Sequence, residues 1–364
     1  MSYFNVQEVQ SAITLLSKTY PNLSKSVKLP NKSVEGRDIN ALIIGKNKDD
    51  VYSNSVLFTG SVHGREWGGS DICVYFAADI LEAYTKGTGL AYGNQYFDAS
   101  QIKKIVEYLN LIIFPDVNPD GKAYSQSDPS RRLWRGNRNL ENVECLGVDL
   151  NRNYDLAWDF RNVFSSDALV ATSDDPCDPR QTYRGNSPFS EPETSNVKWL
   201  FDEIRGISYY VDIHCAIGAI YYCWGIDQNQ TTDPKMNFTN PDYNNKRGVE
   251  DDEYSEYISS QDHEYARYLS SSFADAIKAV RGTVYTVGQS YDLYATSGAG
   301  DDYAYGRHTA NNERNKIFGF TVEFGKDEFQ PLWEEMEKII TEVSSGMAAL
   351  CLSASKIQVH KDKE

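Results

Sequence analysis

Val56-Leu57-Phe58-Thr59-Gly60-Ser61-Val62-His63-Gly64-Arg65-Glu66 passes from an apolar, β-type run into a glycine-punctuated turn, and a long apolar helical stretch, Gly69–Tyr84, follows it. A buried strand that feeds a helix through a short turn is the unit from which parallel sheets are assembled. The same grammar recurs downstream. Leu109–Phe114, Tyr209–Ile213, Ile220–Trp224 and Phe318–Phe324 read as strands, and Glu191–Glu203, Glu264–Val280 and Leu332–Leu352 read as helices. The alternation predicts an α/β fold, a largely parallel or mixed sheet with helices on both faces. Ser190, Pro192 and Glu193 read as a capping box at a helix start. Two stretches stay irregular, 116–190 and 225–263, and loops of that length inside a compact domain usually carry function or are disordered.

The length suits one large α/β domain or two smaller ones and does not choose between them. The chain has 364 residues, 40% hydrophobic and 24% charged, enough to bury a sizeable core. Its formal charge of −16 repels phosphate backbones and argues against a nucleic-acid partner; an acidic surface also attracts cationic peptides, although solubility is the plainer explanation. No apolar run is long enough to span a bilayer, and the opening MSYFNVQEVQ lacks the apolar core of a signal segment. The six cysteines, at 73, 145, 177, 215, 223 and 351, contain no CxxC pair, so a cysteine-based metal site is unsupported. There is no internal repeat and no low-complexity linker.

In open α/β sheets, sites gather beyond the carboxyl ends of strands. His63 and Glu66 stand three apart in the turn after Val56–Thr59, close enough for both to hold one metal ion, and a second histidine, His214, follows Tyr209–Ile213 directly. Two histidines and a glutamate are a common catalytic zinc set, with a coordination position left open. Taken singly, each has a plainer reading: a surface histidine, a first-turn glutamate favoured by the helix dipole, a satisfied core histidine. Two of only five histidines falling at strand ends shifts the balance. Glu323 sits inside the apolar run Phe318–Phe324, where a carboxylate is costly to bury without a role; beside a metal-polarised water it is a candidate general base. Arg131-Arg132-Leu133-Trp134-Arg135 and Asp149-Leu150-Asn151-Arg152-Asn153 supply guanidinium and amide donors that suit a carboxylate or an oxyanion, or, more plainly, are solvated loop residues.

Taken together and in order, His63-Gly64-Arg65-Glu66, Pro115-Asp116-Val117-Asn118-Pro119-Asp120-Gly121, Arg132-Leu133-Trp134-Arg135, Asp149-Leu150-Asn151-Arg152-Asn153, Asp212-Ile213-His214, Tyr294 with Ser297-Gly298, and Thr321-Val322-Glu323 closely resemble the zinc metallocarboxypeptidases of the carboxypeptidase A and B kind, the funnelins. The likeness runs from about Tyr20-Pro21 to the last helix. It implies a single catalytic domain over residues 1–364 with a polar insertion near 225–263 and a mixed, twisted sheet of roughly eight strands. It implies one Zn2+ per chain on His63, Glu66 and His214; Glu323 as general base and then proton donor; Arg135 as oxyanion stabiliser; Asn151, Arg152 and a mobile Tyr294 as the clamp on the substrate's terminal carboxylate; Arg65 in the outer subsites; Asp149 behind His63; and a disulfide between Cys145 and Cys177. The implied activity is removal of single C-terminal residues from peptides and proteins by a monomeric enzyme, secreted, extracellular or periplasmic.

Asp301 occupies the place where B-like members carry an aspartate, which implies a preference for C-terminal Lys or Arg; broad or apolar specificity is the alternative. Cys215-Ala216 depart from the Ser-Tyr that digestive members show after the histidine, and insertions at 86–100 and 225–263 are expected to reshape the funnel. An amidase acting on peptidoglycan stem peptides is a rival that the complete clamp argues against. A non-catalytic peptide-binding pseudoenzyme is disfavoured because no ligand or base is missing.

Overall fold

The computed structural model describes residues 2–139, 145 and 147–356; Met1 and His360 lie outside them. Eight strands form one mixed sheet: β1 Ser24–Lys28, β2 Asn40–Ile44, β3 Ser55–Gly60, β4 Asn110–Phe114, β5 Ile207–Cys215, β6 Ala219–Tyr222, β7 Thr286–Gln289 and β8 Phe318–Phe324, in the order β1-β2-β4-β3-β5-β8-β6-β7. The central strands β4, β3, β5 and β8 run parallel, while β1–β2, β2–β4 and β8–β6 are antiparallel. β3, β4 and β5 are buried at every position, as strands covered on both faces must be.

Eight helices flank the sheet: α1 Val6–Thr19, α2 Gly68–Lys86, α3 Ala99–Tyr108, α4 Pro119–Gln126, α5 Pro192–Glu203, α6 Ser260–Arg281, α7 Gly300–Ala310 and α8 Trp333–Ala354. Alternation along β5 separates the two layers. Tyr210 meets Phe201 of α5 edge-on at 5.2 Å, whereas its neighbour Tyr209 hydrogen-bonds Tyr265 of α6 at 2.8 Å. α6, α8 and α2 pack together on the Tyr209 side.

The strands read from sequence are all present, with Ile220–Trp224 ending two residues early as β6. The short strands β1, β2 and β7 and helices α1, α3, α4 and α7 were not anticipated. The capping box at Ser190 does not form. Glu191 is the N-cap and makes no side-chain bond to the helix; Ser190 Oγ meets Glu191 Oε1 at 2.7 Å, and buried Glu193 accepts from Asn137 Nδ2 at 3.2 Å. Tertiary partners outcompete the local pairing. Segment 86–100 forms a small hairpin, Leu90–Tyr92 against Gln95–Phe97, that packs on α2, α6 and α8 and so does not reach the strand ends. Segment 225–259 is held by Arg247, which is wholly buried and donates to the carbonyls of Tyr243, Asn237 and Asn240 at 2.9, 3.1 and 3.1 Å. Cys145 and Cys177 are disulfide-bonded, and the other four cysteines are free and buried.

Candidate active site

The turn after β3 is shaped by what lies beneath it. Ser61 adopts a positive φ of 53°, and Asn118 Nδ2 donates to Val62 O at 3.0 Å and to Gly136 O at 3.1 Å. A Cβ on Gly64 would come within 2.6 Å of the Gly121 backbone, so glycine is the only residue that lets the two turns touch. The 115–121 motif therefore serves the site as scaffold: it carries the turn that carries His63 and Glu66.

His63 closes β3's end, and His214 lies in β5 opposite Glu323 of β8 in the parallel register. His63 Nδ1 is 2.8 Å from Glu66 Oε1, and His214 Nδ1 is 3.1 Å from both His63 Nδ1 and Glu66 Oε2. All three residues are buried, and one ligand atom from each lies within 4.8 Å of the others. Each imidazole is held from behind: His63 Nε2 lies 3.2 Å from Asp149 Oδ1 and His214 Nε2 lies 2.8 Å from Asp212 Oδ2. A carboxylate accepts only, so each Nε2 carries the proton and each Nδ1 turns a lone pair inward. Two nitrogen lone pairs and a carboxylate converging on one buried point repel one another unless a cation sits among them. The donor set therefore fits a metal ion, and its N, N, O chemistry fits zinc.

The electrostatics agree. Burial opposes charge on Asp149, but Arg135, Arg152 and His63 outweigh it and hold the carboxyl well below the usual range. Burial also opposes charge on His214, yet Asp212 and Glu66 push its pKa well above the ordinary value. The site thus attracts positive charge, which a bound cation would supply in place of that proton. Glu323 behaves differently. Burial, reinforced by Glu66, pushes it up to about 7, and its Oε2 is buried with no hydrogen-bond partner among the described residues.

Around this centre lies a cavity of about 230 Å³. Nine of the ten site residues expected from the sequence line it: His63, Arg65, Glu66, Arg135, Asn151, Arg152, His214, Tyr294 and Glu323. Arg135 is fixed by Asp149 Oδ2 at 2.9 Å. Asn151 Oδ1 accepts from Gly300 N at 2.8 Å, so its side chain has only its NH2 to offer the cavity. Arg152 is 2% exposed and anchored at Nε by Ala171 O and at one terminal nitrogen by Asn151 O, both at 2.6 Å, leaving the other terminal nitrogen free of these anchors. Tyr294 is 41% exposed, its ring 5.9 Å from the Arg152 guanidinium. The Arg65 guanidinium stacks 4.1 Å from the Phe329 ring centroid.

The tenth residue, Asp301, does not line this cavity. It sits at the start of α7, 4% exposed, accepting from Ser290 Oγ at 2.8 Å, Thr321 Oγ1 at 3.1 Å and Asp302 N at 2.9 Å. Sequence reasoning gave no role to Asp212, although its position two residues before His214 on a strand puts both side chains on one face. Thr59 Oγ1 donates to Asp212 Oδ1 at 2.7 Å from the paired position on β3, a contact visible only in the fold.

A family model described as zinc carboxypeptidase matches residues 9–346. Carboxypeptidase B of Astacus astacus is 28% identical over 326 residues, covering 88% of this chain and 86% of that protein. Metallocarboxypeptidase A of Trichophyton rubrum is 30% identical over 312 residues; the match covers 83% of this chain and 60% of the fungal protein's length. Among solved structures, carboxypeptidase A from Helicoverpa armigera superposes with a TM-score of 0.73 at 24% identity, covering 97% of this chain and 74% of that one, which bears on the fold alone. With the family's pattern spanning most of the chain and relatives on either side, the protein belongs to the zinc carboxypeptidase family and is a peptide hydrolase of the metallocarboxypeptidase kind.

Proposed function

We propose that this enzyme binds one zinc ion on His63, Glu66 and His214 and removes single residues from the free C-terminus of peptides, favouring Lys and Arg. The observation that carries the reading is the meeting of the three converging ligands, a Glu323 oxygen buried without a partner among the described residues, and two anchored arginines around one cavity. Zinc held there would act as a Lewis acid and lower the pKa of a water to about 7. The remaining work falls to the chain. Arg152 and the Asn151 NH2 grip the terminal carboxylate, and Tyr294, exposed on its loop, swings in to cover it. Arg135 donates to the scissile carbonyl oxygen, where negative charge develops. Glu323 takes the proton of the attacking water and returns it to the leaving amine.

The specificity reading rests on Asp301. A buried carboxylate held by Ser290 and Thr321 attracts an ammonium or guanidinium and repels an apolar side chain through its own desolvation. That one relative is a carboxypeptidase B accords with this. The Cys145–Cys177 bridge favours an oxidising, extracellular or periplasmic setting, and no helix among the described residues is long and apolar enough to cross a membrane. Residues 225–263 are read as an insertion on a single catalytic domain, and the enzyme as a monomer.

The test is mass spectrometry of peptides that differ only in their last residue, incubated with and without a zinc chelator. Chelator-sensitive loss of one residue, fastest for Lys and Arg, is expected. Loss led by apolar residues would keep the chemistry and end Asp301's part in selecting the departing residue. No cleavage by the zinc-loaded protein would overturn the reading.

A further inference from the structure

A lysine is wholly buried beneath the turn that carries His63 and Glu66. Lys122, on α4, is 0% exposed, and its Nζ donates to Ser70 Oγ at 2.7 Å. Ser70, in the first turn of α2, lies 2.7 Å from Ser61 Oγ, and Ser61 Oγ lies 3.2 Å from the Glu66 carbonyl oxygen. The three contacts form one chain whose direction is set by its two ends together. An ammonium only donates and a carbonyl oxygen only accepts, so Lys122 donates to Ser70, Ser61 spends its one proton on the Glu66 carbonyl, and the Ser70 proton goes to Ser61. Losing the ammonium or the Ser70 hydroxyl breaks the chain that holds the Ser61 hydroxyl on Glu66.

Burying an ammonium is costly unless it is compensated. Lys122 is the largest charge opposing the upward push of burial on two acids, Asp71 and Asp116, 0% and 1% exposed, and one oxygen of Asp71 and both of Asp116 lack a hydrogen-bond partner among the described residues. The fold thus keeps a desolvated cation directly under the metal turn.

We propose that Lys122 is a positioning residue for the metal site: through Ser70 and Ser61 it fixes the Glu66 carbonyl, and with it the aim of the Glu66 carboxylate. This rests on the reading of His63, Glu66 and His214 as the ligand set. The readout is the affinity of the metal-free protein for zinc, measured by competition with a chromogenic chelator, on the unaltered chain and on Ser70→Ala, Ser70→Thr, Lys122→Met and Glu66→Gln. Ser70→Ala and Lys122→Met are expected to weaken zinc about tenfold or more, in the range seen for partners one step behind a ligand. Ser70→Thr, which keeps the hydroxyl, should restore most of that loss, and kcat at saturating zinc should hardly change. Zinc affinity within about twofold of the unaltered chain in folded Ser70→Ala would overturn the proposal even if Lys122→Met failed to fold. Weakening in Ser70→Ala but not in folded Lys122→Met would overturn the lysine's part. Undiminished zinc affinity in Glu66→Gln would instead sink the ligand set, and the positioning role with it.

Discussion

Glu323 and Asp301 are the two acids to which the proposal gives work, and their surroundings differ. Glu323 has an oxygen without a partner, facing a cavity; Asp301 has every oxygen engaged by the protein. A general base needs the first condition and a fixed counter-charge needs the second. Glu323→Gln should therefore retain zinc, as checked by metal analysis, while kcat falls about a thousandfold or more; near-normal turnover would remove Glu323 from the chemistry. Asp301→Ile should move the ratio of kcat/KM values from basic toward apolar C-terminal residues, and an unchanged profile would mean that Asp301 never meets the substrate. Asp212 belongs beside them. Its carboxylate holds His214 as Asp149 holds His63, so Asp212→Asn is expected to weaken zinc about 10- to 100-fold, read by chelator competition.

At the scale of elements, the site hangs on irregular segments that regular structure pins in place. The disulfide closes a loop spanning 32 residues, and that loop contains Asp149, Asn151, Arg152 and Ala171, the clamp and its anchor. Removing a cross-link over a loop of that size costs about 3–4 kcal/mol in the chain-entropy picture. The double variant Cys145→Ser with Cys177→Ser should unfold at markedly lower urea and show a raised KM with less change in kcat, because the clamp loosens before the metal set does. A KM equal to that of the intact protein would show that Ala171 and Gly300 hold the clamp alone. Arg247 plays the corresponding part in the 225–259 segment, where it meets backbone carbonyls beside the short ladder of Asn229–Gln230 with Glu256–Tyr257.

For the whole molecule, buried acids set the pH response. Burial pushes Asp116 up to about 6, Asp71 and Asp227 to about 7, and Glu193 and Glu256 to about 8. An acid whose folded pKa is raised is stable when protonated; its contribution is complete below the ordinary carboxylate range and is lost as pH climbs through the folded value. Carboxylates held low, such as Asp149, act in the opposite sense but only at strongly acid pH. Between pH 5 and 9 the first group decides the sign, so the Tm of the zinc-loaded protein should fall across that window. Glu256→Gln and Glu193→Gln should flatten the slope, and a Tm that rises with pH would contradict the account.

By itself the sequence determined the alternation of strand and helix and the central strands to within a residue or two, because hydrophobic period and strand-end position are local quantities written along the chain; the full set of nine cavity residues came through the family resemblance that its motifs, in their order, carry. The mutual distance of His63, Glu66 and His214 is not local: it arises because β3 and β5 pair in parallel and bring two strand ends together across a gap of 151 residues. For the same reason only the tertiary structure revealed Thr59 behind Asp212, Lys122 under the metal turn, and the failure of the capping box at Ser190, where Glu191 and Glu193 found stronger partners than the helix end could offer. Hydrogen bonds between residues far apart in sequence are decided by which surfaces the core brings into contact, and no pattern along a single segment encodes that choice.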